Sequence, residues 1–583
     1  MCGIGGVVSF RVPPRALRER ALTIQRRLRH RGPDGQGDAL TDHAALVHTR
    51  LILRDAQAGG QPMRSPDGRL TLTFNGELYN LDELGAPSRT FASEAEALLT
   101  CWAAHGPAGL SRLNGMFAFF VWDQQAQEGY LVRDRLGIKP AAYRWDGETL
   151  AFASEAHALL GASPRADLPT VLEYLTAPCF SGVEHSAFEG VDYLPPGHWL
   201  RVSAAGVTLQ RWAAPPAVTT LQQSPRPDPA LVAELHEALP AAITRALIAD
   251  APVGVFLSGG LDSTVLAACA RAGEPPCFSV AFEDQAAFPY GESAIVVSDD
   301  APFVTLARKE LGLRGHDVFV ARRNLAAELK ALAVVNDALP AWEQELAQYH
   351  LAAAARPHVK AVLVGDAADE THYGYHFLLD EEALSGPEVI LRRLGSVPLR
   401  RGWFADPVAH FGQRYRDLVA SLGGVWGDRD QRVLATTLLI QTRWLPRLLH
   451  NGDIHTMHHS LEARVPFADS GLLELAARVP PSLGLRDGVE KFALREACRG
   501  LVPEAIRARR KSALPKDQGA GDVYRQLVTE IVRDPPALVA ALVDLDTLAT
   551  WLTPQRPLLE RERAALFRVI GLANWARHHG VAA

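Results

Sequence analysis

Cysteine is scarce in this chain: six residues (Cys2, Cys101, Cys179, Cys269, Cys277 and Cys498) among 583, none in a CxxC pair or beside histidines at zinc spacing. That argues against a disulfide frame or a cysteine-held zinc and for a reducing, cytoplasmic setting. Long apolar runs are also missing. No stretch of about 18 apolar residues offers a membrane span, and no basic segment followed by an apolar one opens the chain. Charge of one sign is not in excess either. A net charge of -6 gives no reason to expect a nucleic-acid partner or a membrane surface, so the basic cluster Arg507, Arg509, Arg510 and Lys511 has to be judged locally. What is present is ordinary for a globular protein, 48% hydrophobic and 22% charged, in a chain long enough for two or more domains.

Cys2 follows Met1. If Met1 is removed, Cys2 carries a thiol and a free α-amine on one carbon, a nucleophile beside its own base. The plainer alternative is a small buried residue opening a strand. Short β-rich runs follow as far as about Trp212. Leu70-Thr71-Leu72-Thr73-Phe74 alternates and runs straight into Asn75-Gly76-Glu77-Leu78-Tyr79-Asn80. Asn-Gly at a strand end signals a hairpin turn. It is also a side-chain amide beside an unhindered backbone N–H, two donors for an oxyanion.

Five motifs occur in one order: Cys2-Gly3-Ile4, Arg29-His30-Arg31-Gly32-Pro33-Asp34-Gly35, Gln61-Pro62-Met63, Asn75 to Asn80, and Arg133-Asp134-Arg135-Leu136-Gly137-Ile138-Lys139-Pro140. In this the first part of the chain, residues 1–214, resembles class II glutamine amidotransferases. The resemblance implies an N-terminal-nucleophile fold, an αββα sandwich of two antiparallel sheets. It implies Cys2 as nucleophile, its α-amine as proton carrier, and Asn75 and Gly76 as the oxyanion hole. Glutamine would be held by Arg50, Leu51, Ile52, Asn75, Gly76, Glu77 and Glu94. Arg50 suits an α-carboxylate because a guanidinium pairs with it through two bonds. Glu94 stands where the family usually has Asp, one methylene longer.

Residues 215–228 are rich in proline, alanine, threonine and glutamine and are expected to form an extended linker. Asp228 and Pro229 start a helix that Pro240 should kink or divide. Then Val253-Gly254-Val255-Phe256-Leu257 reads as a buried strand, leading through Ser258-Gly259-Gly260-Leu261-Asp262-Ser263 into a helix. Strand, glycine-rich turn and helix cradle phosphate, because backbone N–H groups and the helix dipole face the anion. No lysine follows the glycines, so it is not the GxxxxGK[ST] loop. Strand and helix go on alternating to the strand at 359–364 and Gly365-Asp366-Ala367-Ala368-Asp369-Glu370, which implies a parallel sheet with both loops at strand carboxyl ends. Beyond Glu381 the pattern is helical. The tryptophans there (Trp403, Trp426, Trp444, Trp551 and Trp575) read as packing, and His458 and His459 as part of a helix rather than a metal site.

The loop from Ser258 to Ser263 resembles that of ATP pyrophosphatases. Residues 229–583 resemble the synthetase domain of glutamine-hydrolysing asparagine synthetases, through residues 365–370, 457–467 and Lys491-Phe492-Ala493-Leu494-Arg495. By that likeness ATP lies against Leu257, Ser258, Gly259, Gly260, Asp262, Ser263, Val280, Val364 and Gly365. Mg²⁺ would be held by Asp262 and Asp369. Asp366 would help form an acyl-adenylate, and Lys491 would neutralise charge on the α-phosphate. The reaction implied is ATP, aspartate and glutamine giving asparagine, glutamate, AMP and pyrophosphate, in a possible homodimer. The run Thr371-His372-Tyr373-Gly374-Tyr375 departs from the family pattern near the acceptor, so a different carboxylic acid is the alternative. An intramolecular cyclase or a non-catalytic binding module ranks lower.

Overall fold

The structure is a computed structural model that describes residues 2–85, 90–283, 285, 298–335, 338–513, 517, 519–553 and 556–582. Its N-terminal part is two facing antiparallel sheets. The first has the order β10-β8-β9-β1-β3-β2 and the second β12-β11-β7-β6-β5-β4. The strands are β1 (Gly3–Ser9), β2 (Gly35–Leu40), β3 (Ala44–Arg50), β4 (Met63–Arg64), β5 (Leu70–Leu78), β6 (Gly115–Asp123), β7 (Glu128–Arg133), β8 (Ala142–Trp145), β9 (Thr149–Ala153), β10 (Asp192–Tyr193), β11 (His198–Ser203) and β12 (Gly206–Arg211).

Period-two alternation explains the layers. Ile4 and Val8 of β1, Leu46 of β3, and Phe120 and Trp122 of β6 fill the space between the sheets. On β5, Leu70, Leu72 and Phe74 point the other way, to a core with Leu98 and Trp102 of the helix Glu94–His105. The intervening residues Thr71, Thr73, Asn75 and Glu77 therefore face the first sheet, where β1 begins. The helix Pro14–Arg27 covers the outer face of that first sheet through Leu17, Ala21 and Ile24.

Asn75-Gly76 is not a hairpin turn. It lies inside β5, paired with Ala118 and Phe117 of β6. Glycine is needed there for closeness, since a Cβ on Gly76 would stand 2.1 Å from the Met116 carbonyl oxygen.

The expected extended linker is in part a helix, Pro216–Gln223. Ala217 donates its N–H to Gln441 Oε1 at 2.8 Å and the Thr220 hydroxyl donates to Ala477 O at 2.9 Å. Pro216 occupies the first turn, where a missing N–H costs nothing, so a proline-rich composition misleads here. Pro240 likewise leaves the helix Ala230–Ala246 undivided.

The C-terminal part holds a five-stranded parallel sheet, order β15-β14-β13-β16-β17, from β13 (Val253–Phe256), β14 (Cys277–Phe282), β15 (Gly315–Val320), β16 (Ala361–Leu363) and β17 (Glu462–Arg464). Strand β17 interrupts the stretch expected to be all helical. The strand order reverses between β13 and β16, which pair directly, and a ligand crevice belongs at such a point. Helices from Pro387 to His579 pack beside the sheet. Among the described residues no helix is long and apolar enough to cross a membrane.

A buried charge network joins the two parts. The Arg31 guanidinium, fully buried, donates to Glu155 and to Asp453, each at 2.6 Å, and to the Cys2 carbonyl oxygen at 3.2 Å. Lys139 adds a bond to Ala463 O at 3.2 Å, and Arg464 pairs with Glu77 at 3.1 Å and Glu462 at 2.5 Å. Burial alone would raise the Glu462 carboxyl, but the positive charges around it, the amino-terminal one first and then Arg464 and Lys139, hold it at about 2. Its share of stability is complete above pH 4.5 and is lost as pH falls toward 2. Removing one partner strands the others in low dielectric. Arg31→Met should therefore cost about 3–5 kcal/mol, read as a lower denaturant midpoint at unchanged slope.

Candidate active sites

Cys2, the residue just before β1, sits at the end of the inter-sheet space. Cys2 donates its N–H to Asn75 Oδ1 at 2.9 Å, and Asn75 Nδ2 is buried with no partner among the described residues. The thiol is raised above its ordinary value by burial, while the Leu51 N–H and Arg50 pull it down. A small pocket of about 40 Å³ opens beside it, lined by Arg50, Leu51, Gly76, Glu77 and Glu94. The Arg50 guanidinium donates to the carbonyls of Arg54, Asp55 and Ala56. Glu94 accepts from the Leu78 N–H at 2.8 Å and from Arg54 at 3.2 Å. Burial, with the Glu77 charge, pushes the Glu94 carboxyl well above its usual range despite Arg54, and burial holds Glu77 at about 7. Ile52 is outside the pocket lining. Its backbone N–H donates to Asp34 at 2.8 Å and its carbonyl accepts from Lys360 at 3.3 Å.

The second site is a cavity of about 740 Å³ at the carboxyl ends of β13 and β16. The structure brings Leu257, Ser258, Gly260, Asp262, Ser263, Val280, Val364, Gly365, Asp366, Asp369 and Lys491 together along its lining. Gly259 is not among them. Its carbonyl accepts from Arg509 at 3.1 Å instead. The two loops touch, because Gly365 lacks a side chain where Asp262 Cβ would be 3.0 Å away. Ser258 and Ser263 share a hydroxyl bond of 3.0 Å that closes the turn before the helix Leu261–Ala270.

Lys491 binds the carboxylates together. Its ammonium lies 2.6 Å from both oxygens of Asp262 and 2.6 Å from Asp369 Oδ1, held by a left-handed backbone with φ +55°. Lys511 reaches Asp369 Oδ2 at 2.5 Å, and Arg509 meets Asp300 at 2.6 Å. Burial would raise Asp369, but Lys491 and Lys511 hold it far below its ordinary value. Asp366 has no such clasp, so burial raises it to about 6. The basic cluster near 510 thus folds onto the phosphate-type loop, a role that its composition alone did not reveal. Trp444, read as packing, also lines this cavity, whereas Trp575 is fully buried core.

Among the described residues no group of three or more His, Cys, Asp or Glu could hold a metal. A cation at Asp262 and Asp369 would need further oxygens from a ligand. That suits Mg²⁺, which takes one or two protein carboxylates and completes its shell with phosphates and water.

A sandwich with cysteine at its opening strand, joined to a parallel sheet with a phosphate-type loop, defines a two-site glutamine amidotransferase. The sequence comparisons agree. Residues 1–213 match the glutamine amidotransferase domain and residues 234–577 match asparagine synthase. The chain belongs to the asparagine synthase family and is a glutamine-dependent, amide-forming ligase.

Two relatives are from Bacillus subtilis (strain 168). Asparagine synthetase (glutamine-hydrolyzing) 3 is 29% identical, over 88% of this chain and 87% of its own. Asparagine synthetase (glutamine-hydrolyzing) 1 is 27% identical, with the same two shares. A solved structure described as the allosteric regulatory enzyme of purine biosynthesis is 16% identical over 55% of this chain and 80% of its own. Its TM-score is 0.28, an overlap that carries no argument.

Proposed function

We propose that Cys2, freed of Met1, attacks the side-chain amide of glutamine, and that the released ammonia amidates a carboxylic acid activated as its acyl-adenylate at the second site. The observation that carries the first half is Asn75. Its oxygen holds the Cys2 nitrogen while its Nδ2 is a buried donor without a partner, which suits an oxyanion forming beside the thiol. The α-amine of Cys2, with an ordinary pKa of about 7.7–8.0, takes the thiol proton and returns it to the leaving ammonia. Arg50 receives the glutamine α-carboxylate by giving up its carbonyl partners, and Glu94 receives the α-ammonium. Asn75→Ala should lower kcat for glutamine hydrolysis about 10²- to 10³-fold with little change in KM, measured as glutamate release.

In the second half, ATP lies along Leu257, Val280 and Val364 with its phosphates on residues 258–263 and Gly365. Asp262 and Asp369 are the groups that would hold Mg²⁺, which supplies charge to offset the phosphates. Lys491 stands beside them and neutralises charge that builds on the α-phosphate, while Asp366 helps the acceptor carboxylate into place. The relatives' names make aspartate the proposed acceptor and asparagine the product. Residues 1–214 form the glutaminase unit and 229–583 the synthetase unit, in a cytoplasmic enzyme that pairs as a homodimer. Purified protein given ATP, glutamine and aspartate should release asparagine, glutamate, AMP and pyrophosphate in equal amounts. Pyrophosphate without asparagine would overturn aspartate as the acceptor.

A further inference from the structure

One side of the synthetase cavity is walled by aromatic rings. It begins at Glu370, whose carboxylate accepts the Tyr375 hydroxyl at 2.5 Å. Tyr375 and Phe377 stack at 5.1 Å and 14°. Their centroids lie 5.2 and 6.0 Å from that of Trp444, and Trp444 stacks on Trp342 at 6.1 Å and 28°. All four rings line the cavity and all are half-buried. Ile390 and Leu394, from the helix Pro387–Leu394, continue the apolar wall.

The backbone that presents these rings is irregular in each case. Trp444 ends a π-helical turn, Ile440–Trp444, a feature that recurs at functional sites. Tyr375 and Phe377 follow Tyr373 at φ +58°, and Trp342 follows Leu339 at φ +67°. Left-handed conformations at residues with side chains persist only where the surroundings enforce them, and they gather at ligand sites. Packing alone does not ask for this, since the fully buried Trp575 sits in the regular helix Glu560–His579.

Aspartate makes poor use of such a wall. It carries two charges besides its reacting carboxylate, which rings cannot pair. Among the cations that line the cavity, Lys491 and Lys511 are bound to Asp262 and Asp369, and Arg393 to Asp380 and Glu382, while Arg510 and Arg561 also face it. Four packed rings instead offer a continuous aromatic surface to an apolar, aromatic body.

We propose that this arm receives a second class of acceptor, carboxylic acids bearing an aromatic group a few bonds from the carboxylate, which the enzyme amidates besides aspartate. The inference rests on the ligase reading above. The acceptor carboxylate oxygen attacks the α-phosphorus of ATP, and pyrophosphate leaves with the electron pair of the broken P–O bond. Ammonia then attacks the acyl carbon, the bond to AMP breaks, and the surplus proton passes to water.

The test gives the purified full-length protein ATP and glutamine with aspartate, 3-phenylpropionate or hexanoate in turn, and follows pyrophosphate and the amide by mass. Expected is 3-phenylpropionamide, with kcat/KM at least about tenfold above that for hexanoate, and a loss of that preference in Phe377→Leu. Amidation of aspartate alone overturns the inference and leaves the ligase reading standing. Equal rates for 3-phenylpropionate and hexanoate in the unaltered protein overturn the role of the rings. No pyrophosphate with any of the three acids, aspartate included, overturns the ligase reading itself.

Discussion

Cys2→Ala should abolish amide formation from glutamine, by about 10⁴-fold or more, and leave amide formation from added ammonium intact. The size of the expected loss follows from removing the proposed nucleophile, for which an oxyanion hole and a bound substrate compensate only weakly. The selectivity follows from the geometry. The pocket at Cys2 and the cavity at residues 258–263 have no lining residue in common. Cys2 is also held through its backbone, its N–H on Asn75 and its carbonyl on Arg31, so the variant keeps the network that joins the two parts. Parallel assays with glutamine and with ammonium chloride, each scored by amide product, check this. Equal loss with both nitrogen sources would sink it.

Lys491→Met should lower adenylation with every acceptor, read as pyrophosphate release, about 10²- to 10³-fold, while glutamine hydrolysis continues. It also destabilises the fold. Lys491 is 2% exposed between Asp262 and Asp369, and without it the two carboxylates share only Lys511. Leaving buried charge uncompensated costs about 3–5 kcal/mol, seen as a lower midpoint in denaturant. The double variant Lys491→Met with Asp262→Asn should recover part of that stability and none of the activity. This separates the lysine's electrostatic support of the fold from its part in the chemistry.

The Ser258 to Ser263 turn was legible from spacing alone, because a strand, small residues and a helix leave few alternatives. The parallel sheet was legible too, from apolar runs at regular separation. The dipeptide Asn75-Gly76 by itself favours a hairpin turn as well as an oxyanion site, and only pairing with β6 on one side and Cys2 on the other shows that it stays extended. Trp444 packs against two apolar cores as read, and it also lines the cavity beside a π-helical turn, which helical periodicity does not show.

By itself the sequence determined the two-part plan and the identity of the groups on hand: a thiol beside the chain start, an amide for an oxyanion, and carboxylates after two strands. These are local properties, set by residue type and short-range backbone preference. Only the tertiary structure decided who meets whom. It brought Lys511 and Arg509 from some 250 residues away onto the first loop, as Arg509 to Gly259 shows with a sequence separation of 250. It also tied Arg31 to Asp453 and shaped the aromatic wall. Those contacts depend on how elements pack across long separations, which no window along the chain encodes.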